Sequence, residues 1–440
     1  MTQRNPDAAG LPQRTVKVDY LSRVEGEGGL YARVENGEVR EVKLDIFEPP
    51  RFFEAFLRGR HFQEVPDITA RICGICPVAY QMSSVHALEA ALGVSPGPEI
   101  RQLRRLLYCA EWIESHALHI YLLQAPDFLG YDSAIAMAAD HPHEVERALR
   151  LKKIGNDLLA LLGGRATHPV SVCVGGFYKV PRRKELEALR GDLEWGLEAS
   201  LETVRFVSGL AFPDFAPNYE FVSVSHPDEY PMNERKIVSS AGVDIEPTEF
   251  EKVFLEEHVE HSTALHSKRA DTGTSYFVGP LARINLNFEK LFPRAKEAAR
   301  ATGICWPCKN PFQGIVVRAV EMVHAYEEAL AIIASYREPA RSRAEFKVHA
   351  GEGCAATEAP RGVLYHRYRI NDQGLVEFAK IVPPTAQNYR RMEDDLRLFL
   401  PGILERAEPE IARACENLIR NYDPCISCST HFLKLKLDSD

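Results

Sequence analysis

Two Cys-x-x-Cys pairs near opposite ends of this 440-residue chain constrain its fold more than any other feature. The first pair is Cys73 and Cys76, and the second is Cys425 and Cys428. This spacing lets two thiolates reach one metal ion from a single turn, and four thiolates favour zinc, an iron–sulfur cluster or another transition metal. A zinc ribbon usually holds its pairs about 15 to 20 residues apart. Pairs separated by most of the chain instead favour a metal centre buried in the middle of the fold.

The remaining cysteines carry weaker signals. Cys305 and Cys308 form a third Cys-x-x-Cys pair, which we interpret as a surface dithiol or a chance occurrence. Ten cysteines in 440 residues are too few for a disulfide scaffold, so metal or redox roles are expected for the paired ones. The isolated cysteines are predicted to be buried apolar side chains: Cys109, Cys173, Cys354 and Cys415.

Charge and hydropathy exclude several classes of protein. Lys and Arg number 53 against 62 Asp and Glu, a net charge of −9, and such an acidic chain lacks the basic surface that nucleic acids require. No apolar run approaches the ~18 residues of a membrane span, so an integral membrane protein is not expected. Residues 1–14 are polar and contain no apolar stretch suited to a signal sequence, which predicts a cytoplasmic location.

Hydrophobic periodicity predicts an α+β fold, with a large helix-rich body and small β layers. No composition shift or linker divides the chain, so we expect a single domain over residues 1–440, with residues 1–14 flexible. Strands are predicted over Thr15–Phe47, where Asn36-Gly37 is a strong hairpin turn signal. Short strands are also expected within Glu220–Arg283.

Further elements follow from the same patterns. A second hairpin is predicted from Val363–Ile370 and Leu375–Val382, which flank a polar turn. Apolar residues that recur every three and four positions predict long helices. These helices are Glu99–Leu123, His143–Leu162, Arg183–Leu210, Val317–Tyr336 and Tyr389–Asn421, the last broken near Pro401-Gly402.

Seven ordered motifs make the chain resemble a known family, the catalytic large subunit of nickel–iron hydrogenases. The resemblance extends from about Val18 to the C-terminus. The moderate length and the ending Asp-Pro-Cys-Ile-Ser-Cys-Ser-Thr-His resemble most the cytoplasmic, NAD(P)-linked branch. The motifs are Ser22–Gly28, Arg71–Pro77, His116–His119, His168–Gly176, Glu358–Gly362, Val382–Thr385 and Asp423–His431.

The resemblance implies a nickel ion held by all four paired cysteines. Cys73 and Cys425 would be terminal ligands of nickel, whereas Cys76 and Cys428 would also bridge to an iron that carries carbon monoxide and cyanide. Soft thiolates suit the redox states of nickel. The implied activity is the reversible heterolytic cleavage of dihydrogen to protons and electrons, with the Cys425 thiolate as the first base.

Other residues receive roles from the same resemblance. Glu25 would relay the proton outward, which suits a desolvated carboxylate beside a thiolate. Arg361 would point over the metal pair, where a guanidinium polarises what sits in the open site, and Asp423 would orient it. Pro384 and Thr385 would face the cyanides, with the Thr385 hydroxyl as a donor.

A magnesium site is also implied, with Glu54 and His431 as ligands, since magnesium prefers oxygen-rich, partly hydrated coordination. His116 and His119 share one face of a helix and would lie around the metal pair without binding it. Ser115 stands where many periplasmic relatives have Asp, so one acid near the arginine is absent.

Electrons have to leave this chain, because it shows no nucleotide-binding glycine motif and no further group of four cysteines for an iron–sulfur cluster. The resemblance implies an iron–sulfur small subunit and diaphorase-type NAD(P)/flavin subunits as partners. It also implies a maturation endopeptidase that cuts between His431 and Phe432 and removes the tail 432–440. The alternative is a metal-free or zinc-stabilised structural relative in a redox complex.

Overall fold

The computed structural model describes residues 14–430 of the chain. Within them, small sheets surround a helical body, and the predicted α+β class is confirmed. The strands are β1 Arg14–Val18, β2 Gly28–Glu35, β3 Glu38–Ile46, β4 Val172–Cys173, β5 Gly176–Phe177, β6 Phe221–Ser225, β7 Lys236–Ser239, β8 Asp244–Ile245, β9 Phe254–Glu257, β10 His266–Arg269, β11 Phe277–Val278, β12 Gly351–Ala359, β13 Gly362–Ile370 and β14 Val376–Val382. The α-helices are α1 Phe53–Leu57, α2 Val65–Thr69, α3 Pro77–Leu92, α4 Pro98–Leu118, α5 Ala125–Leu129, α6 Ala134–Met137, α7 Pro142–Gly163, α8 Arg183–Glu187, α9 Arg190–Ser208, α10 Phe250–Val253, α11 Pro280–Asn287, α12 Pro293–Ala301, α13 Gly314–Ser335, α14 Pro384–Phe399, α15 Glu408–Arg420 and α16 Ile426–Ser429.

The N-terminal sheet is the antiparallel meander β1-β2-β3, as its turn signal predicts. Leu30, Ala32 and Val34 of β2 are buried and alternate with partly exposed residues, which is the pattern of a strand with one face on the core. Arg14 was expected in the flexible terminus but is the first residue of β1. The other residues of that predicted segment lie outside the described part of the chain.

A second antiparallel sheet, β12-β13-β14, contains the predicted hairpin and one strand that periodicity does not reveal. β12 is rich in Gly and Ala, which have low β-propensity, so nothing in its sequence marks it as a strand. It forms because it pairs with β13 along its whole length and packs against α3. Tertiary contacts therefore decide the state of this segment.

Helices α3, α4, α7, α9 and α13 form the body of the molecule. α4 packs on α7 and α13, and α13 also packs on α9. Two pairs of oppositely charged side chains are buried between these helices, where each charge needs a partner. Arg104 bonds Glu89 at 2.8 and 2.6 Å, and Arg105 bonds Glu328 at 2.9 Å. These pairs link α4 to α3 and to α13.

Two of the predicted helices are not single continuous α-helices in the structure. The helix expected over Glu99–Leu123 is α4 continued by a π-helical turn, His119–Gln124, ahead of Pro126. Pro lacks an N–H and crowds the preceding turn, so the regular hydrogen-bond ladder loosens there. The helix expected over Arg183–Leu210 is divided into α8 and α9 next to Gly191, a poor helix former.

The C-terminal helical region begins earlier than predicted. α14 starts at Pro384 instead of Tyr389, because Pro is well suited to the first turn of a helix. The predicted break is confirmed as a 3-10 turn at Leu400–Gly402, after which α15 begins at Glu408.

One large apolar core contains residues from Val16 to Cys428 and includes both cysteine pairs at the chain ends. A smaller core lies under the four-stranded sheet β11-β6-β7-β8. Within residues 14–430, no helix has both the length and the apolar character needed to cross a membrane.

The other cysteines follow the predictions in part. Three of the four isolated cysteines are buried as predicted, but Cys354 is only partly buried because it lies near the open end of β12. Cys305 is exposed whereas Cys308 is buried, with its sulfur 3.1 Å from Gln313 Oε1. The surface-dithiol interpretation of that pair is therefore wrong.

Candidate metal centre

The two distant cysteine pairs meet inside the large core. The sulfur atoms of Cys73, Cys425 and Cys428 all lie within 4.8 Å of one another. Those of Cys73 and Cys425 are 3.6 Å apart, and those of Cys425 and Cys428 are 2.6 Å apart. Cys76 is buried beside them and interacts with all three. Four buried thiols at one point form a soft donor set that suits a transition metal.

Each pair sits where a loop enters a helix. Cys76 directly precedes α3, whose first residue, Pro77, suits an initial turn because it has no N–H to satisfy. The Cys73 sulfur accepts hydrogen bonds from the N–H groups of Ile75 at 3.3 Å and Cys76 at 3.1 Å, so the loop folds around this sulfur. Cys425 likewise directly precedes α16.

The thiols differ in acidity. Burial raises the pKa of Cys425 and Cys428 above the usual range. For Cys76, the bond with Cys425 favours the thiolate, but the bonds with Cys428 and Cys73 and burial outweigh it and raise its pKa. Burial also opposes ionisation of Cys73, yet hydrogen bonds from the other three cysteines hold its pKa well below the usual value. Binding of a metal cation to these cysteines would release the protons that their thiols carry, because the thiolate is the form that binds metal.

Glu25 lies directly against the second cysteine pair. Its backbone forms a parallel bridge with Cys425, in which the Ile426 N–H donates to the Glu25 carbonyl at 2.8 Å. Glu25 Oε2 accepts hydrogen bonds from the Cys425 thiol at 3.0 Å and from the Ser427 N–H at 3.1 Å. The structure thus brings the predicted relay carboxylate into contact with the predicted base.

Gly26 permits this close contact. Its φ is 91°, and a Cβ there would lie 2.7 Å from the Cβ of Ile426 and 2.8 Å from the nitrogen of Ser427. Both the conformation and the space therefore require glycine. On the outer side, Ser427 Oγ donates to Glu48 Oε2 at 2.9 Å, and Glu48 is only partly buried. Polar groups thus continue from the cysteine cluster toward the surface.

Arg361 and Asp423 form a buried ion pair beside the cysteines. Nε of Arg361 donates to the Asp423 carbonyl at 2.7 Å and lies 3.1 Å from its Oδ2, and Nη2 donates to Oδ1 at 3.2 Å. Burial opposes the charge on Arg361, but Asp423 and the thiols of Cys425, Cys76 and Cys73 hold its pKa well above the usual value. Among residues 14–430, Nη1 has no hydrogen-bond partner. A buried, unpaired N–H beside this cluster is a donor suited to a polar or anionic ligand.

The first turn of α14 supports the second pair. Pro384 and Thr385 are its first two residues and both are buried. Thr385 Oγ1 accepts a hydrogen bond from the Cys425 N–H at 3.1 Å, and because a hydroxyl can accept and donate together, its O–H remains available as a donor. One turn later, the Tyr389 hydroxyl lies 2.7 Å from Ser429 Oγ, which ties α14 to α16.

Arg51 is a residue whose contribution the sequence did not reveal. Its Nη2 donates to the carbonyl of Ile72 at 2.6 Å and to the carbonyl of Ser427. Each carbonyl directly precedes a cysteine of the cluster, so one guanidinium joins the two pairs. The Arg51 N–H also donates to the carbonyl of Thr430. The only signal in the sequence is its place three residues before Glu54.

The predicted magnesium ligands are described only in part. Glu54 lies in α1, and its Oε1 accepts a hydrogen bond from the Ile381 N–H at 2.8 Å. Burial raises the pKa of Glu54 to about 7, although Lys380 favours the carboxylate. His431, the tail 432–440 and the cleavage point between them lie outside the described residues, so the roles expected for them stay predictions.

His116 and His119 form bonds with other groups, not with the cysteine sulfurs. His116 Nε2 lies 2.9 Å from Glu321 Oε2, and His119 Nε2 lies 2.8 Å from the Arg420 carbonyl. Burial lowers the pKa of both rings. Within the described residues, the buried hydroxyl of Ser115 has no hydrogen-bond partner.

Arg283 holds the turn that carries the predicted active-site arginine. It donates to the carbonyls of Ala359 at 2.7 Å and Pro360 at 3.2 Å. Its charge is balanced by Glu321 and Glu358, each 2.7 Å away, and all three charged side chains are fully buried. Nothing near Arg283 in the sequence indicates this function, because its partners come from distant segments.

The chain is similar to known proteins over most of its length. The family model described as nickel-dependent hydrogenase matches residues 51–147 and 272–431. The alpha subunit of sulfhydrogenase 1 from Pyrococcus furiosus is 34% identical over 432 residues, which cover 96% of this chain and 98% of that protein. The beta subunit of the NAD-reducing hydrogenase HoxS from Cupriavidus necator is 27% identical, with 96% and 95% covered. A solved structure of an NAD⁺-reducing [NiFe]-hydrogenase in the H₂-reduced state aligns with a TM-score of 0.84 at 25% identity, over 96% of this chain and 100% of that one.

Proposed function

The chain belongs to the nickel-dependent hydrogenase family as the catalytic large subunit of a nickel–iron hydrogenase, and we propose that Cys73, Cys76, Cys425 and Cys428 hold its nickel–iron pair. The observation that carries this assignment is that the thiols of Cys73, Cys425 and Cys428, from opposite ends of the chain, lie within 4.8 Å of one another, with buried Cys76 in contact with all three. Their sulfur atoms provide the soft, anionic donors that nickel and iron accept. When bound, the metal pair supplies the redox chemistry that splits dihydrogen into protons and electrons.

We assign Cys73 and Cys425 as terminal ligands of nickel and Cys76 and Cys428 as ligands of both metals. Iron in this proposal carries carbon monoxide and cyanide. The unpaired Nη1 of Arg361 supports a polar or anionic group at this point, because a buried donor without a partner costs free energy. The Thr385 hydroxyl is a second donor available to such a group.

Protons leave along this chain's own side chains. The Cys425 sulfur holds a proton and passes it to Glu25 Oε2, 3.0 Å away. The Ser427 N–H on the same oxygen keeps the carboxylate in position. Glu25 then passes the proton toward the partly exposed Glu48 and returns to the charged state.

A magnesium ion on Glu54 and His431 completes the proposed metal set. Glu54 is partly buried and its Oε1 is held by the Ile381 N–H, and magnesium prefers carboxylate oxygens together with water. Residues 1–440 act as one domain in this proposal, which the shared core from Val16 to Cys428 supports. The tail 432–440 is removed after His431 by a maturation endopeptidase, so mass spectrometry of the nickel-loaded protein should find a chain that ends at His431.

We propose that electrons pass to an iron–sulfur small subunit and then, through diaphorase-type flavin subunits, to NAD(P) in the cytoplasm. Two comparisons support NAD(P) as the acceptor: one relative is a subunit of an NAD-reducing hydrogenase, and one similar solved structure is an NAD⁺-reducing [NiFe]-hydrogenase. Purification of the native complex tests it. Hydrogen-dependent reduction of NAD⁺ or NADP⁺ is the expected result, and reduction of a deazaflavin alone would overturn this acceptor.

The metal assignment is tested by nickel and iron analysis together with infrared spectroscopy of the protein purified from its own organism. One nickel and one iron per chain, with bands of carbon monoxide and cyanide, are expected. A zinc-stabilised relative would instead contain zinc, show no such infrared bands and keep the tail uncut. The Cys425→Ser variant should lose hydrogen turnover. Its matched control is Cys415→Ser, which replaces a buried cysteine outside the cluster and should keep hydrogen turnover.

A further inference from the structure

A second group of metal-binding side chains lies apart from the cysteine cluster. His261 is in the loop between β9 and β10, His266 is the first residue of β10, and Glu393 is in α14. Each offers one ligand atom, and these three atoms lie within 4.8 Å of one another. We propose that His261, His266 and Glu393 bind one first-row divalent transition metal such as Zn²⁺.

The distances between these side chains suit such an ion. His261 Nε2 lies 2.8 Å from Glu393 Oε1, and His266 Nδ1 lies 4.0 Å from Glu393 Oε2. Ligand atoms around zinc at about 2.0 to 2.2 Å lie roughly 3 to 3.5 Å apart, so small shifts of the side chains would close the site. The two imidazole rings are nearly perpendicular, at 89°, with centroids 5.6 Å apart, so they approach the carboxylate from different directions. Two His and one carboxylate leave room for a water ligand.

The surroundings hold the three side chains in place. The Leu44 N–H donates to Glu393 Oε1 at 3.0 Å, and the His266 ring stacks on Tyr389 with centroids 5.4 Å apart. His266 is almost fully buried, and within residues 14–430 its Nε2 has no hydrogen-bond partner. The lone pair of an imidazole nitrogen is the donor that such a metal binds.

Charge distinguishes this group from a similar one elsewhere. His226, Glu229 and Glu234 are also close together, but Arg101 pairs with both of those glutamates and Arg105 pairs with Glu229 as well. Their negative charge is therefore already neutralised. Within the described residues, Glu393 pairs only with its two histidines and has no Lys or Arg partner. A cation is thus favoured at Glu393 and opposed at the other group.

The bound ion would stabilise the position of the loop that carries His261. The loop that carries His261 is anchored by Thr263, whose N–H donates to the Ile46 carbonyl at 2.7 Å and whose hydroxyl donates to the Glu48 carbonyl at 2.8 Å. A metal shared with Glu393 would join this loop to α14. It would thereby stabilise the polar surroundings of the second cysteine pair without taking part in the redox chemistry.

The test uses the native complex with its cysteine cluster loaded, after treatment with a chelator and titration with Zn²⁺ against a chromophoric competitor. We expect one additional zinc per chain. Zinc K-edge X-ray absorption should show nitrogen and oxygen ligands at about 2.0 to 2.2 Å and no sulfur. The same zinc should raise the unfolding temperature of the complex.

Three variants make the result decisive. Two variants remove a proposed ligand: His261→Gln changes the partly exposed loop, and Glu393→Gln keeps the acceptor for the Leu44 N–H. Each should weaken the affinity for zinc by more than about 100-fold, because loss of even an outer contact to a metal ligand costs about 10- to 100-fold. His226→Gln is the matched control and should leave zinc affinity unchanged. Equal affinity in the native protein and the His261→Gln variant, sulfur-only ligation, or no additional zinc would each overturn the proposal.

Discussion

Glu25 and Cys425 are 400 positions apart in the chain, yet Oε2 of Glu25 lies 3.0 Å from the sulfur of Cys425. A parallel β-bridge joins the two backbones, and the Ser427 N–H binds the same carboxylate oxygen. The carboxylate is therefore held where it can receive a proton from this sulfur. Proton transfer needs such a fixed distance before it needs a matched pKa.

Replacement of Glu25 by Gln should block proton transfer and spare the metals. The amide oxygen can still accept from Ser427, so nickel and iron content should not change. Hydrogen turnover should fall by about 10²-fold or more, the usual contribution of a general acid–base group. The rate of exchange between D₂ and solvent protons measures this directly. Glu27→Gln, an exposed carboxylate two residues on, is the control, and exchange at the native rate in Glu25→Gln would remove Glu25 from the relay.

Replacement of Arg361 by Lys should lower the free energy of unfolding and disturb the contacts of this side chain at the metal centre. Lys keeps the charge but cannot form the paired bonds of the guanidinium with Asp423, and bonds to charged groups contribute about 1.5 to 3 kcal/mol each. We expect a loss of about that size in the free energy of unfolding, together with shifted infrared bands of the iron ligands. Chemical denaturation and infrared spectra measure the two effects. Arg413→Lys, whose side chain is 74% exposed, should change neither; unshifted bands in Arg361→Lys would contradict the contact.

Replacement of Gly362 by Ala should disturb the turn after Arg361. Gly362 has a φ of 131°, and a Cβ there would lie 2.7 Å from the nitrogen of Gly279. We expect about 1 to 3 kcal/mol of destabilisation and reduced metal content, since strain of this kind has that magnitude. Gly191→Ala is a control of opposite sign, because that helical position has open space and Ala is the better helix former. Thermal unfolding that ranks the two variants in the reverse order would refute this account.

Glu54 should make stability depend on pH when no divalent cation is bound. Its pKa of about 7 in the folded protein exceeds the ordinary value of 4.5, which corresponds to about 3 kcal/mol. A raised carboxyl pKa favours the protonated folded state, so this contribution is full below pH 4.5 and is lost as the pH rises through 7. Unfolding in a chelator should therefore be easier at pH 8 than at pH 5.

The variant Glu54→Gln isolates this effect. Gln keeps the acceptor for the Ile381 N–H but does not titrate, so the fall in unfolding free energy between pH 4.5 and 7 should shrink by about 3 kcal/mol. Added Mg²⁺ should restore stability of the native protein above pH 7, where the carboxylate is charged, and should not affect Glu54→Gln. Stabilisation of both proteins by Mg²⁺ would show that Glu54 is not the ligand.

Local patterns predicted much of the architecture because they report on neighbours in the chain. The turn at Asn36-Gly37 and the alternation in β2 identified the first hairpin, and three- and four-residue spacing identified the long helices. The same reasoning missed β12, whose small residues have no strand pattern. It also missed the start of α14 at Pro384 and the division between α8 and α9, where packing and backbone chemistry outweigh average propensity.

The candidate site likewise combines features that the sequence predicts with features that only the structure shows. From the sequence alone, the resemblance carried by the ordered motifs predicted that the two Cys-x-x-Cys pairs belong to one hydrogenase-like metal centre, with Glu25 and Arg361 beside it. Only the tertiary structure decided that Arg51 joins the loops of both pairs. It alone also brings His261, His266 and Glu393 together. The physical reason is that a sequence motif records chemistry within one turn or strand, whereas these contacts arise when packing of the core closes segments hundreds of residues apart onto one point.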